Sequence, residues 1–268
     1  MTSSDASFAG SIPGLYDKYL GPLLFEPYAE EVASRAKTFQ PWRILEIAAG
    51  TGIVTAALHR ALPDASILAT DLNQAMLDVA AEQFQSDYVT FQQADAQSLP
   101  LQDDWFDLVV CQFGIMFFPD KVEANREAHR VLSDGGRYML VIWNDTAHNP
   151  GSKAISDAVA SLFPDDPPRF IDRTPFGYSD PRQIEQDLKV AGFRDIAIET
   201  VEKRSRLPSA RDAAIGMCMG SPLRNEIEER DPALLERAVD AATEALSRWE
   251  GPSGLDTSMS AHIVTAVK

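Results

Sequence analysis

The sequence predicts an α/β protein built on a parallel, doubly wound sheet, and three observations carry that prediction. Apolar runs of strand length alternate with helical repeats as far as Trp143. A turn of small residues, 48–52, joins the first run to the first repeat. Acidic residues, Asp71 and Asp95, end the second and third runs. Strands that alternate with helices at this spacing pair side by side in one direction, because each helix carries the chain back across the sheet.

In chain order, residues 1 to about 12 read as frayed. Residues 16–37 read as helix, broken near Gly21-Pro22 and at Pro27, with aromatics at Tyr16, Tyr19, Phe25 and Tyr28. Ile44, Leu45 and Ile47 make the first buried strand. Val54, Ala57, Leu58 and Ala61 then recur at helical spacing until Pro63. The second strand covers 66–71, and a helix follows from Gln74 to Phe84 with Asn73 as its N-cap. Residues 88–93 and 107–112 are the third and fourth strands. A helix over 120–132 leads through Gly135-Gly136 into a fifth strand, 138–143.

Beyond Trp143 the pattern loosens. A polar loop (144–151), a helix (152–163) and a Pro/Asp-rich connection (164–175) precede a helix over 181–191, closed by Gly192. Residues 195–201 alternate as a strand. Residues 209–249 read as mostly helical, interrupted at Pro222 and Pro232, before a final strand at 262–267.

Composition narrows the function classes. At 45% hydrophobic residues the chain has ample material for a core, and its net charge of −16 argues against gripping phosphate backbones. Two cysteines, Cys111 and Cys218, make no disulfide framework and no metal spacing. No basic-then-apolar leader opens the sequence, and no run of about 18 apolar residues occurs. The expectation is a soluble cytoplasmic protein without a membrane span.

The first turn decides the cofactor. A dinucleotide site wants G-x-G-x-x-G; here Gly50 and Gly52 fit, while Thr55 stands at the third glycine. Glu46, at the strand end, repels a pyrophosphate and attracts a cation. S-adenosylmethionine, with a sulfonium, an ammonium and no phosphate, suits this turn better. Asp71, ending the second strand, matches both ribose hydroxyls with its two oxygens. Asp95 and Ala96 either meet the adenine or build an ordinary turn; Leu72 and Met76 either pack on the adenine face or serve the core. Cys111 reads as a small buried residue with no basic partner. Phe113, Met116 and Phe117 line an acceptor pocket or belong to the core. Of His59, His129, His148 and His262, the one candidate base is His148, which follows the fifth strand.

Together, "ILEIAAGTG", "TDLNQAMLDVA", "QADAQSLPLQDDWFDLVVCQFG" and "EAHRVLSDGGRYMLVIW" resemble the class I S-adenosylmethionine-dependent methyltransferases, in particular the ubiquinone/menaquinone biosynthesis C-methyltransferase branch. The resemblance covers residues 42–143. It implies that Glu46, Gly50, Thr51 and Gly52 bind the methionine end, Asp71 the ribose, and Asp95 and Ala96 the adenine, with Gln112 facing the cofactor; the neighbouring Phe113 is counted with these cofactor residues. Ala48 replaces the first glycine of the class pattern. The fold it implies is a Rossmann-like seven-stranded sheet, order 3-2-1-4-5-7-6, with the last strand antiparallel. An N-terminal helical lid (1–37), a core (38–205 and 261–268) interrupted by an insertion (144–180), and a helical cap (206–260) complete the expected organisation.

The function expected is in-line methyl transfer from S-adenosylmethionine to a small molecule, leaving S-adenosylhomocysteine. If the additions reach the carboxyl edge of the sheet, acceptor contacts come from Tyr16, Tyr19, Met116, Phe117, Arg173, Phe176, Tyr178, Met217 and Met219, with Tyr19 and His148 as catalytic candidates. Alternatively, the 206–260 helices form a homodimer interface. Two other functions stay open: a cofactor-binding regulator without turnover, and an NAD(P)-dependent oxidoreductase.

Overall fold

The computed structural model describes Phe8 and residues 10–268, so most of the frayed stretch expected at residues 1 to about 12 lies outside the described residues. The chain forms two compact units. The first comprises Tyr28–Trp143, Tyr178–Val201 and Ala261–Lys268 and carries the sheet. The strands of the chain are β1 (Arg43–Ile47), β2 (Ser66–Asp71), β3 (Val89–Gln93), β4 (Phe106–Gln112), β5 (Leu132–Trp143), β6 (Arg194–Leu207), the two-residue β7 (Glu250–Gly251), which falls in the second unit, and β8 (Gly254–Val267). They run in the order β3-β2-β1-β4-β5-β8-β6, with β7 paired to β8. All ladders from β3 to β5 are parallel, and β8 lies antiparallel to β5. The predicted order and reversed last strand are therefore present; β7 is the addition. The unit boundary falls within β6, after Val201, and within β8, after Ser260.

The central strands earn their place by apolarity on both faces. Ile44, Leu45, Leu108, Val109, Val110, Met139, Val141 and Ile142 are all buried, as a sheet covered by helices requires. The register pairs Glu46 with Ala69 and Val110, which sets the carboxyl ends of β1, β2 and β4 side by side.

Several expected boundaries move. β5 begins at Leu132, not at Tyr138, because Gly135-Gly136 sit in a bulge where the β4–β5 register shifts. β6 and β8 outrun the predicted 195–201 and 262–267. Pro27 does not break the chain: it sits in the first turn of the helix Glu26–Phe39, which continues directly from residues 16–25. Asn73 occupies the N-cap position of the helix Gln74–Gln83, yet its side chain makes no cap bond.

The second unit comprises the segment up to Pro27, Asn144–Gly177 and Glu202–Ser260, and it is mainly helical. Residues 16–25, expected as broken α-helix, form a π-helix, Tyr16–Phe25. The helix Ala210–Met219 approaches it through glycines. A Cβ on Gly216 would stand 2.8 Å from the Tyr19 Cβ, and one on Gly220 would stand 3.0 Å from the Tyr16 nitrogen. Ser205 Oγ donates to the Leu23 carbonyl at 2.9 Å. Within the Pro/Asp-rich connection a short helix, Phe170–Arg173, is held by Glu226, whose carboxylate accepts from the Arg169 and Phe170 N–H groups at 2.8 and 3.0 Å. No helix among the described residues is long and apolar enough to cross a membrane.

Candidate functional site

At the carboxyl edge of β1 the chain must leave the sheet, turn, and enter the helix Ile53–Ala61 within five residues. Ala48, Gly50 and Gly52 achieve this in left-handed conformations, with φ of 56°, 57° and 84°. For Gly52 the space is also restricted, since a Cβ would come within 3.0 Å of the Ala80 Cβ. Ala48 bears a methyl in a region that costs an L residue about 1–2 kcal/mol. The structure accommodates it by leaving Gly114 bare: a Cβ there would lie 2.5 Å from the Ala48 Cβ and 2.8 Å from Cys111 Sγ. Gly114→Ala is therefore expected to lower stability by about 2 kcal/mol through overpacking. Adding Ala48→Gly should recover part of that loss. Chemical denaturation of the four proteins of this double-mutant cycle checks it; equal losses with and without the Ala48 methyl would refute the pairing.

Two carboxylates flank the turn. Glu46, on β1, is buried and receives one short bond, from Thr55 Oγ1 at 2.6 Å. Burial pushes its carboxyl up from the ordinary 4.5 to about 8; Thr55 opposes that rise and Asp71 adds to it. Thr55, at the place of the missing third glycine, thus has a definite task. Asp71, at the end of β2, is also raised by burial, against the pull of N–H groups from Asn73 and Gly50. Its Oδ2 accepts from Gly50 N at 2.9 Å, and its Oδ1 from Asn73 N at 2.8 Å. The acid at the end of the second strand therefore fixes the first turn as well as the start of the second helix. Burial pushes the Cys111 thiol up to about 12, which makes it inert at neutral pH.

Around this centre the expected cofactor residues fall as follows. Thr51 is buried, and its Oγ1 has no hydrogen-bond partner, an orphaned hydroxyl within the turn. Leu72 exposes its side chain beside Asp71, whereas Met76 is buried, its Cε 3.4 Å from the Cβ position of Gly50. Asp95 is exposed and uses Oδ1 to accept from Gln97 N at 2.9 Å, so it builds a turn whatever else it does. Ala96 and Gln112 are buried. Phe113, at φ 55°, stacks on Trp143 with centroids 3.8 Å apart, and Tyr28 meets both rings edge-on. Tyr28 and Trp143 were absent from the sequence-based set. The signal for Trp143 was the β4–β5 register, which sets the ends of both strands together.

The acceptor candidates divide between the units. Met116, Phe117 and Tyr178 belong to the sheet unit, where Met116 is core and the Tyr178 hydroxyl donates to Asp187 at 2.8 Å. Tyr16, Tyr19, Arg173, Phe176, Met217 and Met219 belong to the helical unit. There Arg173 is engaged with Glu226 at 2.7 Å, Tyr16 stacks on Phe25, and Met217 lines a small cavity with Leu23, Ile155, Leu246 and Thr257. His148 is exposed, its Nδ1 2.7 Å from Asp145 Oδ1. No cluster suited to a metal ion occurs among the described residues.

An orphaned hydroxyl, a turn with left-handed glycines at 50 and 52, and two buried carboxylates fit a ligand with a cationic end and fit a pyrophosphate poorly. Comparison with known proteins agrees. Residues 45–140 match the family model described as "Methyltransferase domain". The chain is 36% identical over 104 residues to the ubiquinone/menaquinone biosynthesis C-methyltransferase of Pectobacterium carotovorum, covering 37% of this chain and 41% of that protein. The match thus spans less than half the relative's length. Among solved structures, phosphoethanolamine N-methyltransferase 2 of Haemonchus contortus with S-adenosyl-L-methionine superposes over 96% of this chain and 56% of its own, with a TM-score of 0.59 and 18% identity. The [4+2]-cyclase SpnF superposes over 91% of this chain and 84% of its own, at 0.56 and 21%. At these identities the two structures share the fold.

Proposed function

From the premise that residues 45–140 place this chain in the class I S-adenosylmethionine-dependent methyltransferase family, with S-adenosylmethionine as its cofactor, we propose that it transfers a methyl group to a small-molecule acceptor. The observation that carries the reading is the turn after β1, which brings Glu46, the bare Gly50 and Gly52, and Asp71 together in a set suited to a cationic, phosphate-free ligand. When bound, the cofactor supplies an activated methyl group on sulfur. The chain's own residues then have the task of alignment: Glu46 and Thr51 hold the methionine end, Asp71 the ribose, Leu72 and Ala96 the adenine. Holding acceptor and methyl carbon in line accounts for about 7–11 kcal/mol of barrier lowering. A base adds roughly 10²–10⁴-fold when the acceptor must lose a proton, so positioning outweighs acid–base chemistry. Choice of acceptor falls mainly to residues outside 45–140, the stretch that the family model matches, with Met116 and Phe117 as candidates within it.

The [4+2]-cyclase SpnF shares this fold, so the fold alone does not establish methyl transfer. The test is formation of S-adenosylhomocysteine from S-adenosylmethionine with a panel of phenols, amines and quinols, read by mass spectrometry. Acceptor-dependent product is the expected result. Tight cofactor binding with no product above the no-acceptor background would support a regulator without turnover and overturn the transfer reading.

A further inference from the structure

We propose that Glu46 is a proton-exchanging ligand of the methyl donor: it carries a proton in the free protein and releases it to solvent as it takes up the donor's cationic methionine end. The inference deepens the donor-site reading above and rests on it.

The argument begins with what surrounds the carboxyl group. Glu46 lies at the carboxyl end of β1, 2% exposed, and its side chain accepts from the Thr55 hydroxyl at 2.6 Å. From β2 the group that acts on it is Asp71, another buried acid; on β4 the Cys111 thiol, which Glu46 itself helps to raise, is held neutral. From the helix Ile53–Ala61 it is Thr55, which carries no charge. No lysine, arginine or histidine contributes to its charge balance. An ionised carboxylate so placed is desolvated and faces like charge, and a hydroxyl does not compensate for that. The carboxyl therefore stays neutral up to about pH 8. A cation brought beside it removes the reason for staying neutral, and the proton leaves.

The consequence is a linkage between donor affinity and pH. Below about pH 8 each pH unit should tighten binding by up to roughly tenfold, the slope for one proton released, and the dependence should flatten above that. Gln at position 46 keeps the shape of the neutral acid and has no proton to give. Val at position 55 removes the hydroxyl that favours the charged form, so it should move the flattening to higher pH.

The experiment is isothermal titration of the whole chain with S-adenosylhomocysteine at pH 6, 7 and 8, each in two buffers of different ionisation enthalpy. The wild type should release most of one proton per ligand at pH 6–7, with affinity rising roughly tenfold between pH 6 and 7. Glu46→Gln should release no proton from this position, bind more weakly than the wild type already at pH 6, and fall further behind as pH rises. Thr55→Val should shift the wild-type profile toward higher pH. Binding with the same proton count in wild type and Glu46→Gln would overturn the proposal and leave the donor site standing. Failure of the wild type to bind S-adenosylhomocysteine at all would overturn the donor reading itself.

Discussion

Glu46→Gln is expected to make the ligand-free protein more stable by about 4 kcal/mol at pH 8 while weakening its hold on the donor. The folded-state value of Glu46 is raised, from 4.5 to about 8. An acid raised in this way stabilises fully below its unfolded value and loses that contribution as pH climbs to the folded one. The wild type should therefore lose stability progressively between about pH 4.5 and pH 8 at this position, and the Gln variant should not. Thermal melts across that range, with and without donor, check both halves. A variant that melts below the wild type at pH 8 would contradict the assignment. Such a trade is typical of sites built to receive a ligand, where stability is withheld until the ligand arrives.

Asp71→Ala should reduce donor affinity by about 3 kcal/mol, the upper scale for losing hydrogen bonds to a charged group. It should also lower the melting temperature, because the N–H groups of Gly50 and Asn73 lose their shared acceptor. Asp71→Asn separates these effects, since its carbonyl oxygen still serves one N–H while the charge is gone. Its melt should lie nearer the wild type than that of the Ala variant, with affinity still reduced. Calorimetry that finds wild-type affinity in the Ala variant would remove Asp71 from the donor site.

What could be read in advance was what depends on neighbours in sequence. The apolar run of Ile44, Leu45 and Ile47, the small residues after it, and Asp71 closing the next strand lie within a few residues of the features they create. Contacts over long separations were not legible. Nothing local to Ala48 announces that Gly114 must lack a side chain, or local to Phe113 that Tyr28 and Trp143 will pack on it. The same holds for Arg173, named as an acceptor contact from its position in a loop. Its partner, Glu226, lies in a helix 53 residues further on. The π-helix escaped for a related reason: Gly216 and Gly220, which let the helix Ala210–Met219 approach it, are remote from Tyr16–Phe25 in sequence.

The place of β8 between β5 and β6 sets a clock on biosynthesis. β6 has β8 as its neighbour in the sheet, yet β6 ends at Leu207 and the residues of β8 that pair with β5 begin at Ala261. While the intervening helices are being translated, at about 5–20 residues per second, β5 and β6 both wait with open hydrogen-bonding edges. That interval of several seconds is when a nascent chain is most prone to pair with a neighbouring copy. Slow codons between β6 and β8 would lengthen it, and their replacement by fast ones should raise soluble yield without altering a single residue.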